Sequence, residues 1–231
     1  MVRASQSLGT LFDSSTLRLE KSLFKDRATD IIRENIVKGK IAPGSKLIER
    51  ELANALGISR MPVHDALIQL EKEGLVVSKP DARYVIELTE RDIRELYRVR
   101  LALEKVAVEL AAQNTSPANR LALCSKLEEM KKGVGDQDYR IYTQSDVDMH
   151  SLIWHQSDNR HLESILQTMI GPIFMFVAYN AERFDWNETL QLHTNLVSCI
   201  SAGDAIAAVE SITLHLDIAL NRSLKIFQNQ T

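Results

Sequence analysis

Four residues in the C-terminal half of the chain carry side chains that could bind a divalent metal ion: Asp146, His150, His193 and His215. Asp146 and His150 are four residues apart, which places a carboxylate and an imidazole on the same face of a helix. One carboxylate with three imidazoles suits a borderline ion such as Zn²⁺, Ni²⁺ or Mn²⁺. The alternative is that each histidine is a hydrogen-bonded core or boundary residue of its helix, and the spacing by itself leaves both interpretations open.

The two remaining histidines of this half do not fit the set. His155 follows His150 by five residues, which rotates it about 140° from the His150 face of a helix with ~3.6 residues per turn. His161 begins the next predicted helix. We interpret both as structural or surface residues.

A second group of residues, in the N-terminal half, has the chemistry of a DNA contact. Ser59 precedes a predicted helix, Arg60 and His64 lie on one face of its start, and Arg50 lies in the opening turn of the helix before it. Arginine pairs with guanine or phosphate through two donors, and serine donates to phosphate at a helix N-terminus. On spacing alone, these residues could equally be solvated side chains of an amphipathic helix.

The composition limits the class of protein. The chain has 231 residues, of which 45% are hydrophobic, and a formal net charge of −3, which gives no support to nucleic-acid binding. No apolar run reaches the roughly 18–20 residues of a membrane span, and the N-terminus lacks the apolar core of a signal peptide. Cys124 and Cys199 are far apart and form no metal or redox motif. We expect a cytoplasmic protein without a membrane segment, beginning with a flexible tail at residues 1–18.

The predicted elements of residues 19–88 follow one another as in a winged helix-turn-helix. A helix ends at Gly39, and a short extended piece lies at residues 46–48. Two helices follow, at 49–56 and 60–73, joined around Gly57. Two β-branched or aromatic runs, at 75–77 and 84–86, then predict a two-stranded hairpin.

Residues 89–231 show no strand pattern and predict six helices in an antiparallel bundle. The first begins at a Thr89–Asp92 capping box and the second at Ser116-Pro117. The six predicted ranges are 89–112, 117–132, 137–156, 160–183, 187–200 and 205–227, with Gly171-Pro172 expected to kink the fourth. The fold class is therefore mainly α.

The amino-acid sequence of the first domain resembles that of the DNA-binding domain of the GntR family. The segments that carry the resemblance are PGSKLIERELA from Pro43, LGISRMPVHDAL from Leu56 and LEKEGLV from Leu70. The resemblance implies that Arg50, Ser59, Arg60 and His64 contact DNA. The family usually has Arg-Glu where His64-Asp65 stands, and a glycine near the wing tip where Asp81-Ala82-Arg83 stands. We therefore expect DNA binding that is weaker or more sensitive to pH than that of relatives.

The second domain resembles the FCD domain of the FadR subfamily, and six helices resemble its VanR-like subgroup. The resemblance rests on DIRELYRVRLALE from Asp92, on Asp146 with His150, on the turn at 157–159, and on His193 with His215 twenty-two residues later. It implies that Asp146, His150, His193 and His215 bind a metal ion and that the effector is a small organic acid. Asp158 stands where the family commonly has glycine.

Arg100 is our candidate for orienting the effector carboxylate. Glu104 lies one helical turn later, so an ordinary surface Arg–Glu pair is the alternative. The resemblance as a whole implies a homodimeric repressor on a palindromic DNA operator.

Two rival functions use the Asp/His set differently. A metal-dependent enzyme would need a general base, for which Glu163 or Asp148 could be nominated, but the sequence has no HExxH spacing and the winged segment would have no role. We therefore expect no enzymatic activity. In a pure metal sensor, the ion itself would be the signal.

Overall fold

The computed structural model describes the backbone of residues 14–228 and the side chains of residues 23–228. The chain divides into two compact units between Ile86 and Glu87, two residues before the expected boundary. Helix α1 begins at Ser14, within the range predicted for the tail. No proline or glycine interrupts Ser14–Val37, so nothing stops the helix from including residues 14–18. Residues 1–13 of the predicted tail lie outside the described residues.

Three helices form the core of the N-terminal unit: α1 (Ser14–Val37), α2 (Glu49–Leu56) and α3 (Arg60–Lys72). α2 ends at Gly57, whose φ of 67° is the left-handed conformation that glycine adopts without strain. The apolar positions of α3, Val63, Ala66, Leu67 and Leu70, recur at helical spacing and are buried. α3 packs against α1, and Arg33 of α1 donates two 2.8 Å hydrogen bonds to the Glu73 carboxylate just after α3.

The expected two-stranded hairpin is present, and the extended piece before α2 joins it as a third strand. The strands are β1 (Lys46–Leu47), β2 (Val76–Ser78) and β3 (Arg83–Val85), in the order β1-β3-β2. β3 pairs antiparallel with both neighbours, with Leu47 opposite Arg83 and Val77 opposite Tyr84. The pairing places the residues before α2 beside the wing, which a local pattern of alternation cannot predict.

The C-terminal unit contains six α-helices within the described part of the chain. They are α4 (Glu90–Gln113), α5 (Pro117–Gly135), α6 (Tyr139–Gln156), α7 (Arg160–Tyr179), α8 (Trp186–Ala202) and α9 (Ala205–Gln228). The Thr89–Asp92 capping box is present with both of its hydrogen bonds. The mainly helical fold is confirmed, as is the number of helices in this unit.

The predicted fourth helix of the bundle is four residues too long. α7 ends at Tyr179, and Asn180 turns its side-chain amide back onto the Phe176 carbonyl, after which Ala181–Arg183 form a short 3-10 turn. Pro172 lies inside α7, and the kink expected there stays a prediction. α7 is long and apolar enough to cross a membrane by length and composition, but it packs against α4 and α6 in the bundle.

Candidate metal centre and candidate DNA interface

The four predicted metal ligands come together in the core of the helical unit. α6 supplies Asp146 and His150, α8 supplies His193, and α9 supplies His215. The three histidines each offer a nitrogen, and these atoms lie within 4.8 Å of one another. Asp146 Oδ1 lies 2.7 Å from His193 Nε2 and 3.5 Å from His150 Nε2. Residues up to 69 positions apart thus converge on one point.

The atoms that face this point lack hydrogen-bond partners. Four ligand atoms are buried and make no hydrogen bond: Asp146 Oδ1, His150 Nε2, His193 Nε2 and His215 Nδ1. Asp146 Oδ1 and His193 Nε2 are 2.7 Å apart, but this contact lacks hydrogen-bond geometry. A single unsatisfied buried polar group costs about 1–3 kcal/mol, and native proteins contain few of them. A cation at the centre would satisfy all four atoms together, so the donor set fits a metal ion.

Two hydrogen bonds orient the imidazoles toward the centre. His150 Nδ1 donates to Glu104 Oε2 over 3.0 Å, and His193 Nδ1 donates to the Thr189 carbonyl over 2.9 Å. With the proton on Nδ1, the lone pair of each ring is on Nε2, which is the nitrogen facing the centre. Such outer partners fix the tautomer of metal-binding histidines. Sequence reasoning missed both Glu104 and Thr189 in this role.

The electrostatics of the cluster keep two of its groups, Asp146 and His215, in the state that metal binding needs. Burial, together with the neighbouring His193 and His150, lowers the pKa of His215 well below its ordinary value, so this imidazole is neutral. Burial alone would raise the pKa of Asp146, but His193 and His150 outweigh it and hold that pKa below its usual range. Glu104 is likewise held ionised, since His150 and Arg100 overcome burial and lower its pKa to about 2.

Arg100 forms the expected pair with Glu104, but the pair is buried and not on the surface. Arg100 Nε donates to Glu104 Oε1 over 2.8 Å, and the two side chains are 4% and 0% exposed. Arg100 also lines a narrow cavity of about 30 Å³, partly open to solvent, together with Asp146 and His215. The arginine proposed to orient an effector therefore lies beside the candidate metal centre.

In the N-terminal unit, two of the predicted DNA contacts, Arg60 and His64, lie around one carboxylate, that of Glu49. Its Oε1 accepts hydrogen bonds from His64 Nδ1 at 2.7 Å and Arg83 Nη1 at 2.9 Å, and its Oε2 accepts one from Arg60 Nη2 at 3.3 Å. The hydrogen bond from His64, partly opposed by burial and assisted by Arg60, lowers the pKa of Glu49. Ser59 is the N-cap residue of α3, but its side chain makes no capping hydrogen bond. Its hydroxyl is thus not engaged in capping the helix.

A groove runs between the wing and the start of α3. Its lining includes two of the predicted contacts, Arg50 and Arg60, and three cations that sequence reasoning missed: Lys46, Lys79 and Arg83. The acidic lining residues are Glu49 and Asp81, of which Asp81 pairs with Lys46 at 2.8 Å. The missed cations become part of one surface only through the pairing of β1 with β3, so no local sequence signal marks them.

Comparison with known protein families accounts for nearly all of the described chain. Residues 24–86 match the family described as bacterial regulatory proteins, gntR family, and residues 95–218 match the FCD domain. The chain is a GntR-family regulator with an FCD domain. It is a DNA-binding transcriptional regulator and not an enzyme.

Relatives of this GntR-family chain are regulators. It is 34% identical over 141 residues to the HTH-type transcriptional regulator YdhC of Bacillus subtilis, covering 59% of this chain and 62% of that one. It is 27% identical to the Gluconate operon transcriptional repressor of Bacillus subtilis, covering 80% and 79%. The solved structure of Escherichia coli McbR/YncC has the same fold, with a TM-score of 0.77 and 22% identity over 88% of this chain and 98% of that one.

His155, His161 and Asp148, which the sequence left outside the metal set, lie on the surface or in an ion pair. His155 and His161 are exposed, and His155 lies 3.5 Å from Glu163. Asp148, the other nominated general base, is held by Lys126 at 3.1 Å. Asp158, at the family's usual glycine position, has a φ of 53°, a left-handed conformation that aspartate tolerates better than most residues.

Proposed function

We propose that this GntR-family regulator is a cytoplasmic repressor whose FCD domain holds a divalent metal ion and senses a small organic acid. Asp146, His150, His193 and His215 hold the ion, which is Zn²⁺, Ni²⁺ or Mn²⁺. The observation that carries the proposal is the convergence of four buried, unpartnered ligand atoms on one point. Each of these groups is costly in a helical core without a partner, and a bound cation would satisfy all four.

Arg100 orients the carboxylate of the effector in this proposal. Its Nε is committed to Glu104, so its two terminal nitrogens remain for a ligand in the cavity that it lines with Asp146 and His215. Arginine matches a carboxylate with two parallel donors. A bound ion would add a Lewis-acid position for one of the carboxylate oxygens.

The DNA-contacting residues in this proposal are Arg50, Ser59, Arg60 and His64, at the start of the second helix of the motif and in the helix before it. The protein acts as a homodimer, so that two copies of α3 contact the half-sites of a palindromic operator. A coupling free energy of about 1–3 kcal/mol between effector and DNA would change operator affinity about five- to 150-fold.

The metal part is tested by elemental analysis of purified protein. We expect about one divalent ion per chain, because the four protein ligands converge on a single point. His193→Ala should lose the ion, while the control His155→Ala, which changes an exposed histidine outside the cluster, should keep it. Full occupancy in His193→Ala would remove His193 from the ligand set.

The DNA part is tested by an electrophoretic shift assay with the intergenic region next to the gene. We expect a sequence-specific complex that weakens as salt rises, because phosphate contacts release counterions. Absence of such a complex, with and without organic acids, would contradict the proposal. A parallel titration of metal distinguishes a pure metal sensor, since only in that case does operator affinity follow the metal concentration without any acid.

A further inference from the structure

The cavity beside the candidate metal centre contains a second arginine, Arg222 of α9. We infer that the effector is a dianion with two carboxylates joined by a short hydrocarbon chain. One carboxylate binds at Arg100 and the metal centre, and the other binds Arg222. The inference rests on the proposed function, since it takes this cavity as the effector site.

The hydrogen-bonding capacity of Arg222 is only partly used. Its Nη1 donates to the Thr189 hydroxyl and, over 3.3 Å, to the Asp185 carbonyl. Its Nε is buried and has no hydrogen-bond partner. The nearest carboxylate is that of Glu188, which is 4.0 Å away and half exposed. Arg222 therefore keeps charge and a donor that an anion in the cavity would satisfy.

The charges around the cavity favour two negative charges on the ligand. Among the buried or mostly buried groups, Arg100 and Arg222 contribute two positive charges, and Glu104 and Asp146 contribute two negative ones. The histidines bind a metal as neutral imidazoles, so a divalent ion leaves these groups with an excess of two positive charges. A dianion neutralises that excess, whereas a monocarboxylate leaves Arg222 with only the half-exposed Glu188, 4.0 Å away, as its counter-charge.

The walls between the two arginines favour a hydrocarbon linker over a polyhydroxylated one. The lining is rich in apolar and aromatic side chains, including Ile173, Phe174, Val177 and Phe184. The hydroxyls of the lining are engaged within the protein: Thr189 donates to the Asp185 carbonyl, and Ser223 donates to the Ala219 carbonyl. A ligand with several hydroxyls would bury most of them without partners, and each unpaired buried hydroxyl weakens binding.

Isothermal titration calorimetry on the full-length, metal-loaded protein tests the inference with matched pairs of acids. The pairs are succinate with butyrate and glutarate with pentanoate, which differ only in the second carboxylate, and gluconate serves as the polyhydroxylated comparison. One further charge-assisted contact should make a dicarboxylate bind about tenfold to a hundredfold tighter than its partner. Gluconate should bind more weakly than the preferred dicarboxylate.

Variants of Arg222 separate a ligand contact from a structural role. Arg222→Gln should remove the preference for the dicarboxylate and leave the affinity for the monocarboxylate nearly unchanged. Arg222→Lys should keep part of the preference, and the control Arg183→Gln, an exposed arginine outside the lining, should keep all of it. If Arg222→Gln does not fold, the ratio of the dicarboxylate affinity to the monocarboxylate affinity still tests the inference, measured in the unaltered protein and in Arg222→Lys.

The outcomes distinguish this inference from the proposed function. Equal affinity for both members of each pair, or a preference that survives Arg222→Gln, overturns the assignment of Arg222 and leaves the proposed function in place. If none of the acids binds and none alters operator affinity, the proposed organic-acid effector fails together with the inference.

Discussion

Each unit of the protein contains a histidine and an arginine that share one carboxylate, and the two triads differ in burial. In the DNA-binding unit, Glu49 binds His64 at 2.7 Å and Arg60 at 3.3 Å, and His64 is 40% exposed. In the FCD domain, Glu104 binds His150 at 3.0 Å and Arg100 at 2.8 Å, and the histidine and the carboxylate are fully buried. The same three residue types thus form a solvated network in one unit and a fixed one in the other.

Because they differ in burial, the two carboxylates are suited to different functions. Exposed ion pairs are weakened by water and salt, so the cations around Glu49 can exchange it for DNA phosphate at little cost. Glu104 has no competing solvent, and its two bonds fix the His150 tautomer and the position of Arg100. The exposed triad is suited to changing partners, and the buried triad to holding a ligand site in one geometry.

Removing the charge of each carboxylate should give the largest contrast. Glu104→Gln leaves Arg100 and His150 buried without their anion and should destabilise the FCD domain by about 3–5 kcal/mol. Glu49→Gln should cost less, about 1 kcal/mol, because two of its three partners, Arg60 and His64, are 68% and 40% exposed. Urea denaturation followed by far-ultraviolet circular dichroism measures both. Equal losses of stability in the two variants would contradict the comparison.

A smaller effect is expected from removing one cation of the exposed triad. Arg60→Ala should weaken operator binding by about 1–3 kcal/mol, roughly tenfold or more, without loss of stability. The matched control is Arg91→Ala, since Arg91 is also an exposed arginine in an ion pair but lies on α4 of the other unit. Operator affinity measured by fluorescence anisotropy should fall in the first variant only, and an equal fall in both would exclude a specific role for Arg60.

The smallest expected effect concerns the unusual histidine of the exposed triad. His64→Arg introduces a permanently charged, longer side chain at the start of α3 and should tighten operator binding by up to about tenfold. The dependence of affinity on salt should become steeper by about one phosphate contact. Anisotropy titrations at several salt concentrations measure both quantities. Unchanged affinity would mean that His64 does not face the DNA.

Local sequence signals correctly predicted the ends of helices where one residue, or two residues within one turn, determines the end. Gly57 ends α2 and the Thr89–Asp92 box begins α4, because each acts through its own backbone or its nearest neighbours. The predictions that differ from the structure concern the sheet and the end of α7. β1 joined the sheet through pairing with a strand 36 residues away, and α7 ended early because Asn180 could bond back to Phe176.

For the candidate site, the sequence by itself determined the ligand types and one local spacing, that of Asp146 and His150 on a single helix face. It also determined the family, because the order of the residues from Pro43 to Val76 resembles the GntR DNA-binding domain. The helical pattern alone did not distinguish this segment from an ordinary amphipathic helix. Only the tertiary structure decided that α8 and α9 bring His193 and His215 to the same point. It also decided that Arg100 is buried, that Arg222 lines the same cavity, and that Glu49 contacts His64. The reason is that helical periodicity specifies which residues share a face, whereas burial and long-range partners depend on which helices pack against that face.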